Sequence, residues 1–160
     1  MADAGEAVRR SPRPNELEAA ANLLGGARTL GRNLNSPFDA HEMLLGGLPE
    51  KALSHLVNSF VVMDWRSLEP AVGMSLRTYQ RRKEAPDKPL SREQSERTWK
   101  LAEILAKASA TLGSQVDAEN WLKTPAIGLN QQRPIDLLAS RAGAELVENL
   151  LGQIEYGVYV

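Results

Sequence analysis

Four positive charges fall within the seven residues 77–83: Arg77, Arg81, Arg82 and Lys83. Ser75, Thr78 and Gln80 stand among or just before them, and no acid follows until Glu84. This set suits nucleic acid. Arginine can grip guanine through two parallel hydrogen bonds, glutamine can do the same with adenine, and a hydroxyl can reach phosphate or base. Such contacts need a rigid mount, and residues 67–83 fit a helix-turn-helix. Leu68, Val72, Met74 and Tyr79 stand where two helices must pack together, and Gly73 stands where the turn needs a positive φ. Ser67 and Ser75 are the expected caps. Arg77, Gln80 and Arg81 would then read base edges while Arg82 and Lys83 hold the backbone. Two residues depart from the pattern. Glu69 takes a close helix contact where a small residue is usual, and Arg82 takes a place where an apolar residue would lock the second helix. A solvated basic face of a helical protein is the competing reading.

A second kind of chemistry lies in the last 27 residues, Pro134 to Val160. Pro134 suits a first helical position, and after Gly143 the residues Leu146, Val147, Leu150 and Ile154 recur at helical spacing. Glu155-Tyr156-Gly157-Val158-Tyr159-Val160 then forms an apolar end with one charged side chain. Apolar surface of this kind is buried in its own domain or in a partner. Leu146, Val147, Leu150, Ile154 and Trp121 are assigned to the protein's own core. Tyr156, Tyr159 and Val160 are assigned to a partner, because tyrosine is enriched among interface anchors.

The elements that mount these groups all read as helices. Asn15 caps a helix over 16–24 stopped by Gly25-Gly26, and Ser36-Pro37 opens one running to Gly46-Gly47. Pro49 opens a third, with Leu53, Leu56, Val57 and Phe60 on one face. Ser91 and Gln94 form a capping box for the longest helix, 92–112, which Gly113 ends. Glu93–Arg97, Glu96–Lys100 and Glu103–Lys107 have the spacing of supporting ion pairs. Ser114 and Asp117 begin a further helix that carries Trp121 and Leu122 to Pro125. No stretch alternates with period two, so the expected fold is an all-α helical bundle.

Composition narrows the function. Apolar residues make up 42% and aromatics only 5%, so the core rests on Leu, Ala, Val and Ile. Cysteine is absent, and His41 and His55 lie on different predicted helices, so no metal site is expected. No phosphate-binding loop or nucleophile elbow occurs, so neither a cofactor nor an enzyme is expected. Without an apolar run long enough to span a membrane, or a signal-peptide core, the expected place is the cytoplasm. Net charge is −1 but uneven: ten basic and six acidic residues over 66–107, with acid in excess on both sides. A basic centre favours a polyanion there.

Residues from Trp121 to Val160 resemble the C-terminal toxin-binding domain of Xre/MbcA/ParS-type antitoxins. The resemblance rests on Trp121-Leu122, Pro125, Pro134-Ile135-Asp136-Leu137-Leu138, Gly143, Val147, Leu150 and Ile154-Glu155-Tyr156-Gly157-Val158-Tyr159. With the Xre-type helix-turn-helix it reaches back to about Pro49. Asn130-Gln131-Gln132 departs from the glycine that relatives tend to carry before the proline. The resemblance implies an antitoxin of a RES–Xre system that binds over the active-site cleft of an NAD-consuming RES-domain toxin and represses its own operon. Glu155, Tyr156, Gly157, Val158, Tyr159 and Val160 would meet the toxin, and Ser75, Arg77, Thr78, Gln80, Arg81, Arg82 and Lys83 would meet operator DNA. A homodimer and higher assemblies with toxin are implied. The expected organisation is a flexible 1–14, N-terminal helices over 15–47 that include a dimer contact, a DNA-binding domain over 48–112 and a toxin-binding domain over 113–160. The alternative is a helical transcription regulator whose C-terminal domain serves oligomerisation or another ligand.

Overall fold

The structure is a computed structural model and describes residues 14–157. Its helices are α1 (Pro14–Leu23), α2 (Gly26–Leu30), α3 (Pro37–Gly46), α4 (Glu50–Ser59), α5 (Trp65–Val72), α6 (Leu76–Arg82), α7 (Arg92–Leu112), α8 (Gln115–Leu122), α9 (Pro134–Leu137) and α10 (Arg141–Glu155). A 3-10 turn, Ile127–Leu129, stands between α8 and α9. Among the described residues there is no strand, only the isolated bridges Pro49–Pro89 and Ala126–Gln132.

Helix α7 is the axis. Its ends fall at 92 and 112 because both are chemically fixed. Ser91 Oγ accepts from the Gln94 amide at 3.1 Å, Gln94 Oε1 accepts from the Ser91 amide at 3.3 Å, and Gly113 closes the last turn at φ 100. Trp99, Leu101, Ala102, Ile104, Leu105 and Ala108 are buried along it, while Leu112 is only half-buried. Helices α1, α3, α5, α8 and α10 all pack on this one rod.

Several local expectations are corrected. The chain is already helical at Pro14, so Asn15 lies within α1 rather than capping it, and the helix resumes at Gly26 directly after Gly25. Asp64, not Ser67, caps α5, accepting from the Ser67 amide at 3.2 Å. Phe60 lies past the end of α4. Of the three expected pairs on α7, Glu93–Arg97 forms at 3.6 Å. Lys100 turns instead to Glu103 at 3.2 Å and to Glu148 of α10 at 2.6 Å. Leu146 is exposed, because Val147 and Leu151 fill the buried stripe of α10.

Two side chains that periodicity does not single out tie the halves of the chain together. Glu119 of α8 is fully buried and accepts from the consecutive amides of Val61, Val62 and Met63, at 2.8–3.1 Å, and from Gln115. A carboxylate in a cup of amides holds the segment before α5 against α8. Arg97 of α7 donates to Pro70 O at 3.3 Å and to Ala139 O at 2.9 Å, joining α5 to the loop before α10.

Candidate functional site: a basic helix and an apolar terminal face

Helices α5 and α6 meet through the expected core. Leu68, Val72, Met74 and Tyr79 are all buried, and Gly73 has φ 72. The Arg97 guanidinium packs over it, and a Cβ there would lie 2.3 Å from one of its nitrogens and displace it. Glu69, at the suspected close contact, is exposed and obstructs nothing. Trp65 stacks on Tyr79 with ring centres 4.4 Å apart, and the Tyr79 hydroxyl donates to Ser54 Oγ at 3.3 Å. Ser54 in turn donates to the buried Glu50. Past α6, Leu90 N donates to Leu48 O at 2.7 Å and the Glu50 amide to Lys88 O at 3.1 Å. The recognition helix is thus gripped under its middle and just beyond its end.

On this mount Arg77, Gln80 and Arg81 are exposed. Positions three and four apart share one side of a helix, so the three form a single face. Leu76, 45% exposed at the first turn, borders it; sequence reasoning passed over this residue as apolar, although a thymine methyl is an apolar feature of the major groove. Ser75 Oγ accepts from the Thr78 amide at 3.2 Å and donates to the Thr78 hydroxyl at 3.0 Å. Both hydroxyls therefore build the helix start. The structure separates Arg82 and Lys83 from the others. Arg82 is half-buried, its Nε enclosed without a hydrogen-bond partner, and the Lys83 ammonium lies 5.3 Å from the centre of the Tyr79 ring. Lys83 is nonetheless exposed, and Arg82 as a whole is half-buried rather than enclosed.

The terminal domain has the opposite surface. Serine 140 caps α10, accepting from the Gly143 amide at 3.0 Å. Gly143 itself lies inside the helix, where a Cβ would meet Leu137 O, so α9 and α10 approach backbone to backbone. Along the outer side of α10 stand Ala142, Leu146, Asn149, Gln153 and Tyr156, with Leu150 half-buried beside them. None is charged. The 3-10 turn packs on this helix, a Cβ on Gly128 falling 3.1 Å from Leu150, and it leaves Ile127 80% exposed. Asn130, Gln131 and Gln132 continue the uncharged surface. Trp121 is half-buried against the core, as assigned. Glu155 ends α10, Tyr156 caps it while 44% exposed, and Gly157 has φ 72. Val158, Tyr159 and Val160 lie outside the described residues.

Other chemistry finds no such setting. Among the described residues no group of three or more His, Asp or Glu side chains is placed to hold a metal ion, and no helix is long and apolar enough to cross a membrane.

Residues 39–103 match the antitoxin Xre-like helix-turn-helix domain, and residues 107–157 match the antitoxin Xre/MbcA/ParS C-terminal toxin-binding domain. The chain is 31% identical over 124 residues to an antitoxin Xre of Pseudomonas putida, covering 78% of this chain and 76% of that one. It is 29% identical over 132 residues to an antitoxin Xre of Photorhabdus laumondii, covering 82% and 88%. A Prs ADP-ribosylating antitoxin of Sphingobium is 26% identical over 133 residues, covering 78% and 82%. The family is regulatory rather than enzymatic, and its two modules answer to a toxin partner and to DNA. With a buried glycine-turn helix pair and a separate terminal face in one bundle, the chain belongs to the Xre/MbcA/ParS-type antitoxins of toxin–antitoxin systems.

Proposed function

We propose that this antitoxin acts on a RES-domain toxin that consumes NAD, by covering the toxin's active-site cleft, and that as a homodimer it represses its own operon. The observation that carries the reading is the division of the surface. Arg77, Gln80 and Arg81 make one exposed polar face on α6, whereas α10 and the 3-10 turn expose three large apolar side chains, Ile127, Leu146 and Tyr156, with the charges of Arg141, Glu145 and Glu155 at their border. Apolar anchors inside a polar rim are the usual anatomy of a protein-binding surface. Tyr156 offers a rigid ring with a polar tip at the end of that face, and the residues from Glu155 to Val160 would lead on into the cleft. The Sphingobium relative's name speaks of ADP-ribosylation, and an ADP-ribosyl group is drawn from NAD, which accords with an NAD-consuming target. A protein working on operator DNA and on an NAD-consuming toxin belongs in the cytoplasm. The helix-turn-helix, the toxin-binding domain and a contact among the N-terminal helices follow the boundaries at 48–112, 113–160 and 15–47.

The test is co-expression with a RES-domain toxin. The full chain should restore cellular NAD and growth and should shift DNA from upstream of its own gene. A chain ending at Ile154 should keep folding and DNA binding but protect poorly. Failure of the full chain to protect would overturn the toxin reading, and full protection by the shortened chain would remove the tail from the cleft.

A further inference from the structure

Of the two apolar helices at the N-terminus, only α3 has surface to spare. Helix α1 spends Leu17, Ala20 and Ala21 on the core and shows Glu18, Ala19 and Asn22 to solvent. Helix α3 buries Ala40 and Met43, yet Phe38 is 78% exposed and Leu45 is 51% exposed. His41 and Glu42 are exposed between them. Positions 38, 41, 42 and 45 lie within one arc of about 100° on a helix of 3.6 residues per turn. The outer face of α3 is therefore apolar at both ends and polar in the middle.

That order has a symmetry. If a second α3 runs antiparallel about a two-fold axis between residues 41 and 42, Phe38 meets Leu45 of the copy, and His41 meets Glu42 of the copy. The same rotation repeats both contacts. Apolar groups fall on apolar groups, and an imidazole falls on a carboxylate that already holds Arg32 at 3.2 Å. Opposed helix ends also place partial charges of opposite sign side by side. A surface that complements itself under one two-fold is what an isologous dimer requires.

We infer that the exposed face of α3 docks on the same face of a second copy of this chain, with Phe38 against Leu45 and His41 against Glu42. This deepens the dimer of the proposed function by assigning its contact. A single ten-residue helix against its copy buries less than the roughly 1,200 Å² of a standard interface. The pairing is accordingly weak, with a dissociation constant on the order of tens of micromolar or above. A weak contact of this kind is strengthened when both copies sit on neighbouring half-sites, through effective concentration.

Sedimentation of the full chain across about 5–500 μM, a range set by that affinity, tests the inference. The mass should climb from monomer towards dimer. Phe38→Asp with Leu45→Asp should weaken association at least about tenfold while leaving the thermal melt unchanged, since both side chains are exposed. The chain has no cysteine, so the register can be trapped. Phe38→Cys with Leu45→Cys should yield a disulfide-linked dimer on oxidation. Phe38→Cys alone should not, because its two copies would lie about 10 Å apart along the helices, beyond bridging range. A protein that stays monomeric throughout overturns both the inference and the dimer of the proposed function; a face occupied by residues 1–13 or by the toxin would give that result. A dimer that survives the double aspartate variant, or that Phe38→Cys alone cross-links, overturns the inference and leaves the dimer standing.

Discussion

The α5–α6 pair and the α8–α10 domain present opposite chemistry through the same kind of helix. On α6 the exposed groups are Arg77, Gln80 and Arg81, and everything beneath them is fixed: Trp65 stacked on Tyr79, Tyr79 bonded to Ser54, and Gly73 closed against Arg97. On α10 the exposed groups include Leu146, Asn149 and Tyr156, bordered by Arg141, Glu145 and Glu155, on a helix whose inner side is closed onto α9 at Gly143. Binding a polyanion needs charge, which keeps its cost low by remaining solvated until contact. Binding a protein core needs surface that gives up water cheaply, which means few charges. The contrast is between a face dense in positive charge and one where large apolar groups stand inside a mixed-charge border.

The strongest way to break the comparison is to erase the first face. Arg77→Ala with Arg81→Ala should cost roughly 2–6 kcal/mol at the chain's own upstream DNA, at about 1–3 kcal/mol per specific contact. Protection from toxin should be unchanged, because α10 is untouched. Filter binding and a growth assay on the same variant measure both. Loss of both activities together would show that the two regions are not separable.

The next largest effect should come from the tie between the halves. Glu119→Ala leaves the amides of Val61, Val62 and Met63 without their acceptor and should cost about 3 kcal/mol of stability. Urea unfolding followed through the three tryptophans should show one transition moved to lower denaturant. Two resolved transitions would mean that Glu119 is what makes the halves melt together.

Sequence revealed the first region more fully than the second for a physical reason. Caps, turn glycines and charge density are local, so Ser75, Gly73, Ser91, Gly113 and the Arg77–Arg81 face could all be found by reading along the chain. Arg82 and Lys83 could not be separated from their neighbours in that way, because only packing shows that one leans into the body and the other onto Tyr79. On α10 periodicity alone assigned Leu146 to the core. Two adjacent apolar rows, Leu146–Leu150–Ile154 and Val147–Leu151, compete for one interior, and only the position of α9 and the 3-10 turn decides that Val147 and Leu151 win. Glu119 and Arg97 left no signal, since a buried charge facing backbone amides or carbonyls looks like any surface charge in a string of letters.

A smaller effect should sharpen the view of the terminal face. Asn130 and Gln131 both have positive φ, 56° and 62°, a region that L side chains adopt at a cost. Asparagine tolerates this region, whereas glutamine bears a strain of about 1 kcal/mol. Gln131→Gly should therefore raise stability by roughly 0.5–1 kcal/mol, after allowing for the greater freedom of glycine when unfolded. A thermal melt raised by a few degrees, with toxin protection intact, is the expected outcome. A lowered melt would mean that the side chain itself supports the turn.

The smallest effect concerns the junction of α7 and α10, which lies on neither recognition face. Burial is the main reason that the Glu103 carboxyl is held above its ordinary pKa. Lys100 pulls it back, while Glu148 and Glu16 push the same way as burial. Burial works against the Lys100 ammonium, but Glu103 and Glu148 outweigh it and hold its pKa above the ordinary value. Because the Glu103 pKa is raised on folding, the folded state takes up a proton before the unfolded chain does as pH falls, in the window between that raised pKa and 4.5. Stability from this group is therefore lost as pH rises through that window, the reverse of a carboxylate whose pKa is depressed. Lys100 has the opposite range: its contribution is present below pH 10.5 and is lost as pH rises through its folded pKa. Glu103→Gln removes the proton uptake and one partner of Lys100, leaving Glu148. Relative to the variant, the natural chain should gain stability as pH falls towards 4.5, and the variant should weaken earlier on the alkaline side. At neutral pH the two should differ by less than about 1 kcal/mol, because the site is partly open to water. Melting curves from pH 4.5 to beyond pH 10.5 measure this, with DNA binding and toxin protection expected to stay level. A variant that loses either activity would place the junction, and not only the two faces, within the recognition chemistry.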